Sequence, residues 1–255
     1  MSLLQTKGLA LAIGGKQICH ALDLEIEPGQ RWALLGRNGI GKTTLLHCLA
    51  GLRHPAGGER LLENDKLDRL TQQEIARRLG MLFQQQEDAF AGTVMETALI
   101  GRHPYLKSWQ WESAQDQQLA LDALKRLQID HLAERQVTTL SGGERQRLAL
   151  ATLLTQQPGL LLLDEPCNHL DIHQQINVLE LLKAWSDQAG HACLMSLHDV
   201  NLALRYCSHA LLLFGHGEVV TGTIEETLTE RNLERLYLHP IEKVSGEWGQ
   251  AFLPR

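Results

Sequence analysis

The 255-residue sequence has no long hydrophobic run, and its apolar stretches, such as Leu160–Leu163, last only a few residues. A bilayer-spanning helix needs about 20 consecutive apolar residues, so no transmembrane segment is expected. The start, Met1 to Gly8, lacks the basic, apolar and small-residue layout of a secretory signal. A cytosolic product is therefore expected, one that must borrow a membrane if it works at one. Cysteine is sparse: Cys19, Cys48, Cys167, Cys193 and Cys207 are odd in number and form no Cys-x-x-Cys pair. That argues against a disulfide framework and for a reducing compartment. Basic residues are outnumbered, 24 Lys and Arg against 30 Asp and Glu, so a general footprint for nucleic acid is missing and no such partner is expected. Pro/Ser linkers, low-complexity tracts and internal repeats are absent too. With 44% apolar and 21% charged residues, the composition is globular, and the chain is long enough to bury a core without staples.

Ala21–Ile26 alternates strictly, with Leu22, Leu24 and Ile26 on one face, which predicts a half-buried strand turned by Pro28-Gly29. Arg31–Leu35 reads as a buried strand entering a glycine loop, and Lys42–Ala50 as a helix stopped at Gly51. Thr71/Glu74, Thr93/Glu96, Ser141/Glu144 and Thr223/Glu226 have the spacing of capping boxes. From about Glu87 to Gln157 the signals are helical, followed by strand-like runs at Leu160–Leu163, Ala192–Leu197 and Ala210–Phe214. The pattern predicts an α/β core interrupted by a helical insert.

Gly36-Arg37-Asn38-Gly39-Ile40-Gly41-Lys42-Thr43 fits the phosphate-loop pattern. Its glycines let backbone N–H groups surround phosphate oxygens at a helix start. Lys42 would reach the β- and γ-phosphates, and the Thr43 hydroxyl would sit on Mg²⁺; the plainer alternative is a glycine-rich turn with a surface lysine. Leu160–Leu163 runs into Asp164-Glu165-Pro166. Buried unpaired carboxylates are costly, so a cation accounts for Asp164, and Glu165 could polarise a water for in-line attack. The alternative is a strand surfacing into a polar loop. Leu140-Ser141-Gly142-Gly143-Glu144 opens a helix as a second anion site. An ordinary capping box would account for Ser141 and Glu144 but not for two glycines that weaken the first turn. Cys167, His169 and His173 offer three zinc-type ligands, one short of a structural zinc site.

Together the phosphate loop, Leu140–Glu144 about a hundred residues later, the Asp164-Glu165 strand end and a histidine after the next strand resemble the nucleotide-binding domain of ABC transporters. The resemblance runs from about Leu3 to Tyr237 and implies a P-loop NTPase (RecA-like) core with an antiparallel β subdomain and an inserted helical subdomain. The division implied is 1–86 and 158–255 for the core with its β subdomain, and 87–157 for the helical part. It implies that residues Gly36–Thr43 and Thr44 bind ATP, and that Thr43, Gln84 and Asp164 hold Mg²⁺. Glu165, His198 and Gln84 take catalytic roles by the same likeness. Leu140, Ser141, Gly142, Gly143 and Glu144 form the signature that serves a partner's ATP, and Asp171 matches the D-loop aspartate. The family's adenine-stacking aromatic falls 23 positions before Gly36, where this chain has Ile13. Arg37 and Ile40 also depart from the usual proline and alanine, without an expected loss of phosphate binding.

One copy of each motif implies a homodimer, or a pair with a paralogue, in which ATP bridges the halves. Transport would require a separate permease, with a substrate-binding protein, and would place the chain on the inner face of the cell membrane. Gly101-Arg102-His103-Pro104-Tyr105 is similar to the ATPases of iron-siderophore, haem and cobalamin importers; its plainer alternative is a helix end with a proline stop. An exporter ATPase, a non-transport ABC ATPase and a phosphate-loop kinase are the competing readings.

Overall fold

The computed structural model describes residues 1–84, 92–107, 109–247 and 249–255. The chain opens with strands β1 (Leu4–Ile13), β2 (Lys16–Ile26) and β3 (Arg31–Gly36), helix α1 (Lys42–Leu49), and strands β4 (Gly57–Leu62) and β5 (Asp65–Lys66). Helix α2 (Gln72–Arg78) leads into β6 (Leu79–Leu82). Three helices follow without an intervening strand among the described residues: α3 (Val94–Leu99), α4 (Ala114–Arg126) and α5 (Gly142–Gln156). Strands then alternate with helices again: β7 (Leu160–Leu163), α6 (Ile172–Ser186), β8 (Ala192–Ser196), α7 (Val200–Tyr206) and β9 (His209–Gly215). The chain closes with β10 (Glu218–Thr223), α8 (Ile224–Thr227), α9 (Glu230–Tyr237) and the hairpin β11 (Ile241–Gly246) and β12 (Gly249–Pro254).

The six-stranded sheet has the order β10-β9-β3-β8-β7-β6, parallel except for β10. Period-two alternation along its strands builds two separate cores. Trp32, Leu34, Leu160, Leu162, Leu194 and Leu211 face α1 and the four-stranded antiparallel sheet β2-β1-β4-β5. Their neighbours Ala33, Leu35, Leu161, Leu163, Met195 and Leu212 face the helical side, with Leu148 of α5 and Leu179 of α6. Burial on both faces explains why β7 reads as an unbroken leucine run. The α/β core, antiparallel sheet and helical insert are thus the expected architecture. The expected boundary at 86/87 lies outside the described residues.

All four expected capping boxes form, and α4 has a fifth, Ser113 with Asp116, that a search for glutamate at the third helical position misses. Strand β1 escaped the pattern because its register with β2 shifts between Thr6 and Leu9 and again towards Ala12, breaking strict alternation.

Candidate nucleotide-binding site

Parallel strands β3, β7 and β8 end side by side, and the loops at their carboxyl ends form the site. After β3 the chain turns through Gly39, at φ 67°, and Gly41, at φ 119°, into α1. A Cβ at Gly41 would lie 2.8 Å from Ile18, so both backbone angle and space demand glycine there. Lys42 is buried, and its Nζ donates to the Gly36 carbonyl at 2.8 Å. Burial pulls its pKa down, opposed by the charges of Glu165 and Asp164.

At the end of β7, Asp164 is 1% exposed. The Ser196 hydroxyl at the end of β8 donates to Asp164 Oδ1 at 2.6 Å and accepts the Glu165 N–H at 2.8 Å. Asp164 Oδ2 is buried without a hydrogen-bond partner. An orphaned carboxylate oxygen beside a phosphate loop is costly alone and suits a divalent cation, so the residues present fit Mg²⁺. Glu165 has φ 52°, a left-handed backbone held by the Ser196 contact. Its Oε1 lies 2.8 Å from His198 Nε2, and its Oε2 accepts from Asn168 Nδ2 at 3.2 Å. Both carboxylate oxygens are therefore aimed.

A cleft of about 500 Å³ is lined by Ile13, Lys16 and Ile18, by Asn38 to Thr44, and by Gln84, Glu165 and His198. Of the expected phosphate-loop residues, Gly36 and Arg37 are not part of this lining, Gly36 being buried and Arg37 exposed. Ile13 is 39% exposed and pairs across the β1–β2 turn with Lys16, whose Nζ donates to the Gly39 carbonyl at 2.6 Å. Trp32, on the next strand, does not supply the missing ring: it is buried in the core, donates to Gln30 Oε1 and stacks on His209.

The signature does not join this cleft. Ser141, Gly142, Gly143 and Glu144 line a separate depression with His169, Leu170 and Asp171, while Leu140 is buried beneath. Ser141 caps α5, accepting from the Glu144 N–H, and its own N–H donates to Glu144 Oε2 at 2.7 Å, which holds that carboxyl below the usual range. A Cβ at Gly143 would come within 3.3 Å of the His169 carbonyl, so the loop 168–171 lies against the bare first turn of α5. Gln146 links the signature helix to the strand end that carries Glu165, donating to the Glu165 and Pro166 carbonyls at 3.2 and 3.1 Å. Cys167, His169 and His173 are not gathered into any metal-binding group among the described residues, and burial pushes the Cys167 thiol up to about 12.

The family model for ABC transporters matches residues 19–168, the stretch that carries the phosphate loop, Gln84, the signature and Asp164-Glu165. The chain belongs to the ABC transporter family. This ABC ATPase is 37% identical over 234 residues to the ferric enterobactin transport ATP-binding protein FepC of Escherichia coli (strain K12), covering 92% of this chain and 86% of that one. It is 38% identical over 240 residues to the hemin import ATP-binding protein HmuV of Pseudomonas entomophila (strain L48), covering 92% of each. Its fold is similar to an ABC transporter assigned to the metal-chelate type in an inward-facing conformation, with TM-score 0.87, 27% identity, and 100% and 98% of the two chains covered. A dimeric ATP-binding cassette bound to ADP and Pi matches with TM-score 0.75 and 27% identity over 87% of this chain and 98% of that one. As an ABC ATPase the chain binds and hydrolyses ATP to power transport. Sequence reading missed Lys16, Ser196 and Gln146, and it placed Asn168 at the start of the D-loop without its contact to Glu165; each of these contacts is set by the fold.

Proposed function

We propose that this ATPase drives import of an iron-siderophore or haem chelate through a separate permease, two copies closing over two ATP molecules. One observation carries the reading: the phosphate loop shares a cleft with Glu165 and His198, while the signature faces a different depression. An ATP held by one chain's loop can meet a signature only from a second chain. In each half the loop 36–44 binds the phosphates, with Lys42 on their terminal oxygens. Thr43, Gln84 and Asp164 would hold Mg²⁺, which supplies charge neutralisation on the β- and γ-phosphates. Glu165, fixed by His198 and Asn168, takes the proton of the attacking water. His198 also contacts the γ-phosphate, Asp171 faces the partner, and Ile13 meets the base. We divide the chain as expected, with residues 87–157 as the helical subdomain. The permease, with a substrate-binding protein, holds the ATPase at the inner face of the membrane.

The chelate class rests on the names of the relatives and on Gly101-Arg102-His103-Pro104-Tyr105; the cobalamin-type cargo also expected rests on that short segment alone. Purification from native membranes tests the reading. Recovery of a chelate-type permease together with a substrate-binding protein is expected. Recovery of an exporter, or of a nucleic-acid-processing complex, would refute it.

A further inference from the structure

The segment Gly101–Tyr105 lies outside both depressions, yet it is tied to three helices. A Cβ at Gly101 would fall 2.3 Å from the Thr152 carbonyl oxygen and 2.9 Å from Gln156 N, so the segment presses bare backbone onto the last turn of α5. Arg102 donates from Nε to Asp116 Oδ1 of α4 at 2.7 Å. Its Nη1 donates to the Thr155 carbonyl at 3.2 Å, one of the orphan acceptors at the end of α5, and to Gln157 Oε1 at 3.3 Å. The guanidinium lies 4.1 Å from the centre of the Tyr105 ring. The Pro104 carbonyl accepts from α2 twice, from Arg77 Nε at 2.7 Å and Gln73 Nε2 at 2.9 Å. Gln156 Nε2 adds a bond from α5 to the Leu79 carbonyl at 3.0 Å. Helix α2 runs directly into β6, the strand before Gln84, and the far end of α5 is Ser141.

We infer that Gly101, Arg102, Pro104 and Tyr105 form a positioning clamp that fixes the carboxyl end of α5 on α2 and so aims Ser141–Gly143 at the partner's ATP. The inference rests on the composite site proposed above. Two polar fixings tie α5 to segments outside the helical insert, the clamp on α2 at one end and Gln146 on the Glu165 and Pro166 carbonyls near the other. Five residues of helix span about 7.5 Å, so a tilt of about 8° around Gln146 moves Ser141 by about 1 Å. A displacement of that size can cost about 10²-fold in rate. None of the four clamp residues is among those that line the cleft, so nucleotide binding by one chain should not depend on it.

The test measures kcat, single-chain ATP affinity and thermal midpoint for Arg102→Ala, Tyr105→Ala, Tyr105→Phe and Arg77→Ala in the full chain. It also measures ATP-induced dimerisation of the same variants carrying Glu165→Gln. Arg102→Ala and Tyr105→Ala should lose about 10- to 100-fold in kcat and weaken the dimer comparably, with ATP affinity of the single chain held within about twofold. Tyr105→Phe keeps the ring under the guanidinium and should restore both. Should Arg102→Ala not fold, Tyr105→Ala and the surface variant Arg77→Ala decide. Wild-type kcat in both overturns the clamp, as does a loss of kcat matched by an equal loss of single-chain ATP affinity, or a Tyr105→Phe as poor as Tyr105→Ala. Failure of Glu165→Gln alone to dimerise with ATP would instead overturn the composite site, and the clamp with it.

Discussion

Replacing Ile13 with tyrosine should tighten ATP binding. Ile13 lines the cleft, 39% exposed at the tip of the β1–β2 hairpin, which among the described residues also contributes Lys16 and Ile18 to the lining. Isoleucine offers adenine apolar contact but no π-face. A full base–ring stack is worth about 1–3 kcal/mol, and part of its apolar contact is already made. About 1.4 kcal/mol therefore remains to be gained, which is about one decade in Kd. The substitution is at an exposed strand end, where a ring displaces no core atom. Among the described residues, those of the hairpin that line the cleft, Ile13, Lys16 and Ile18, include no carboxamide or carboxylate to read the purine edge, and an apolar site rejects isosteres weakly. Wild type should accordingly separate ATP from GTP by less than about tenfold. Inhibition by inorganic phosphate should barely change, because residues 36–44 hold phosphate without the hairpin. Equilibrium titration of both nucleotides against wild type and Ile13→Tyr supplies the answer. Tight, adenine-selective binding by wild type that tyrosine leaves unimproved would refute the reasoning.

Glu165→Gln keeps the shape and the Asn168 contact but removes the base, so single-turnover hydrolysis should slow by about 10²–10⁴ while ATP still binds; unaltered turnover would dismiss Glu165 from that role. Gly143→Val would crowd the His169 carbonyl and should cut multiple-turnover ATPase while leaving single-chain ATP affinity unchanged, as read by paired kinetic and binding assays. His191 and His209 stack half-buried on Trp185 and Trp32, and this partial burial lowers both pKa values below the ordinary 6.5. The unfolded chain then binds protons more readily, so stability present above pH 6.5 is lost as pH falls towards the folded values. Thermal midpoints should decline from pH 7.5 to 5.5, and a joint His191→Gln, His209→Gln variant should flatten that slope.

How much of this was legible in the sequence follows from where the information sits. The phosphate loop, the signature and Asp164-Glu165 are contiguous, and local chemistry forces their residue types, so they stand out without a fold. β7 was readable because it is buried on both faces, and the capping boxes because their bonds span three residues. Contacts between distant strands left no trace: Ser196 bridges Asp164 and Glu165 across 32 and 31 positions, and nothing around Ser196 announces it. β1 was hidden by its register shifts. The closing hairpin β11–β12 was hidden because few of its residues are buried, chiefly Ile241 and Phe252. Gly142-Gly143 posed a question that only packing answered, namely the close approach of the 168–171 loop.

The claim that two chains share each ATP is tested most directly by mixing two disabled variants, both carrying Glu165→Gln. Lys42→Ala spoils the phosphate loop and Ser141→Arg the signature, so neither homodimer contains an intact site. A mixed pair contains one, built from the sound loop of the Ser141→Arg chain and the sound signature of the Lys42→Ala chain. Light scattering coupled to size exclusion, with ATP in the column buffer, should find each variant monomeric alone and a dimer in the mixture. A mixture as monomeric as its components, or a Ser141→Arg chain that dimerises unaided, would contradict the account.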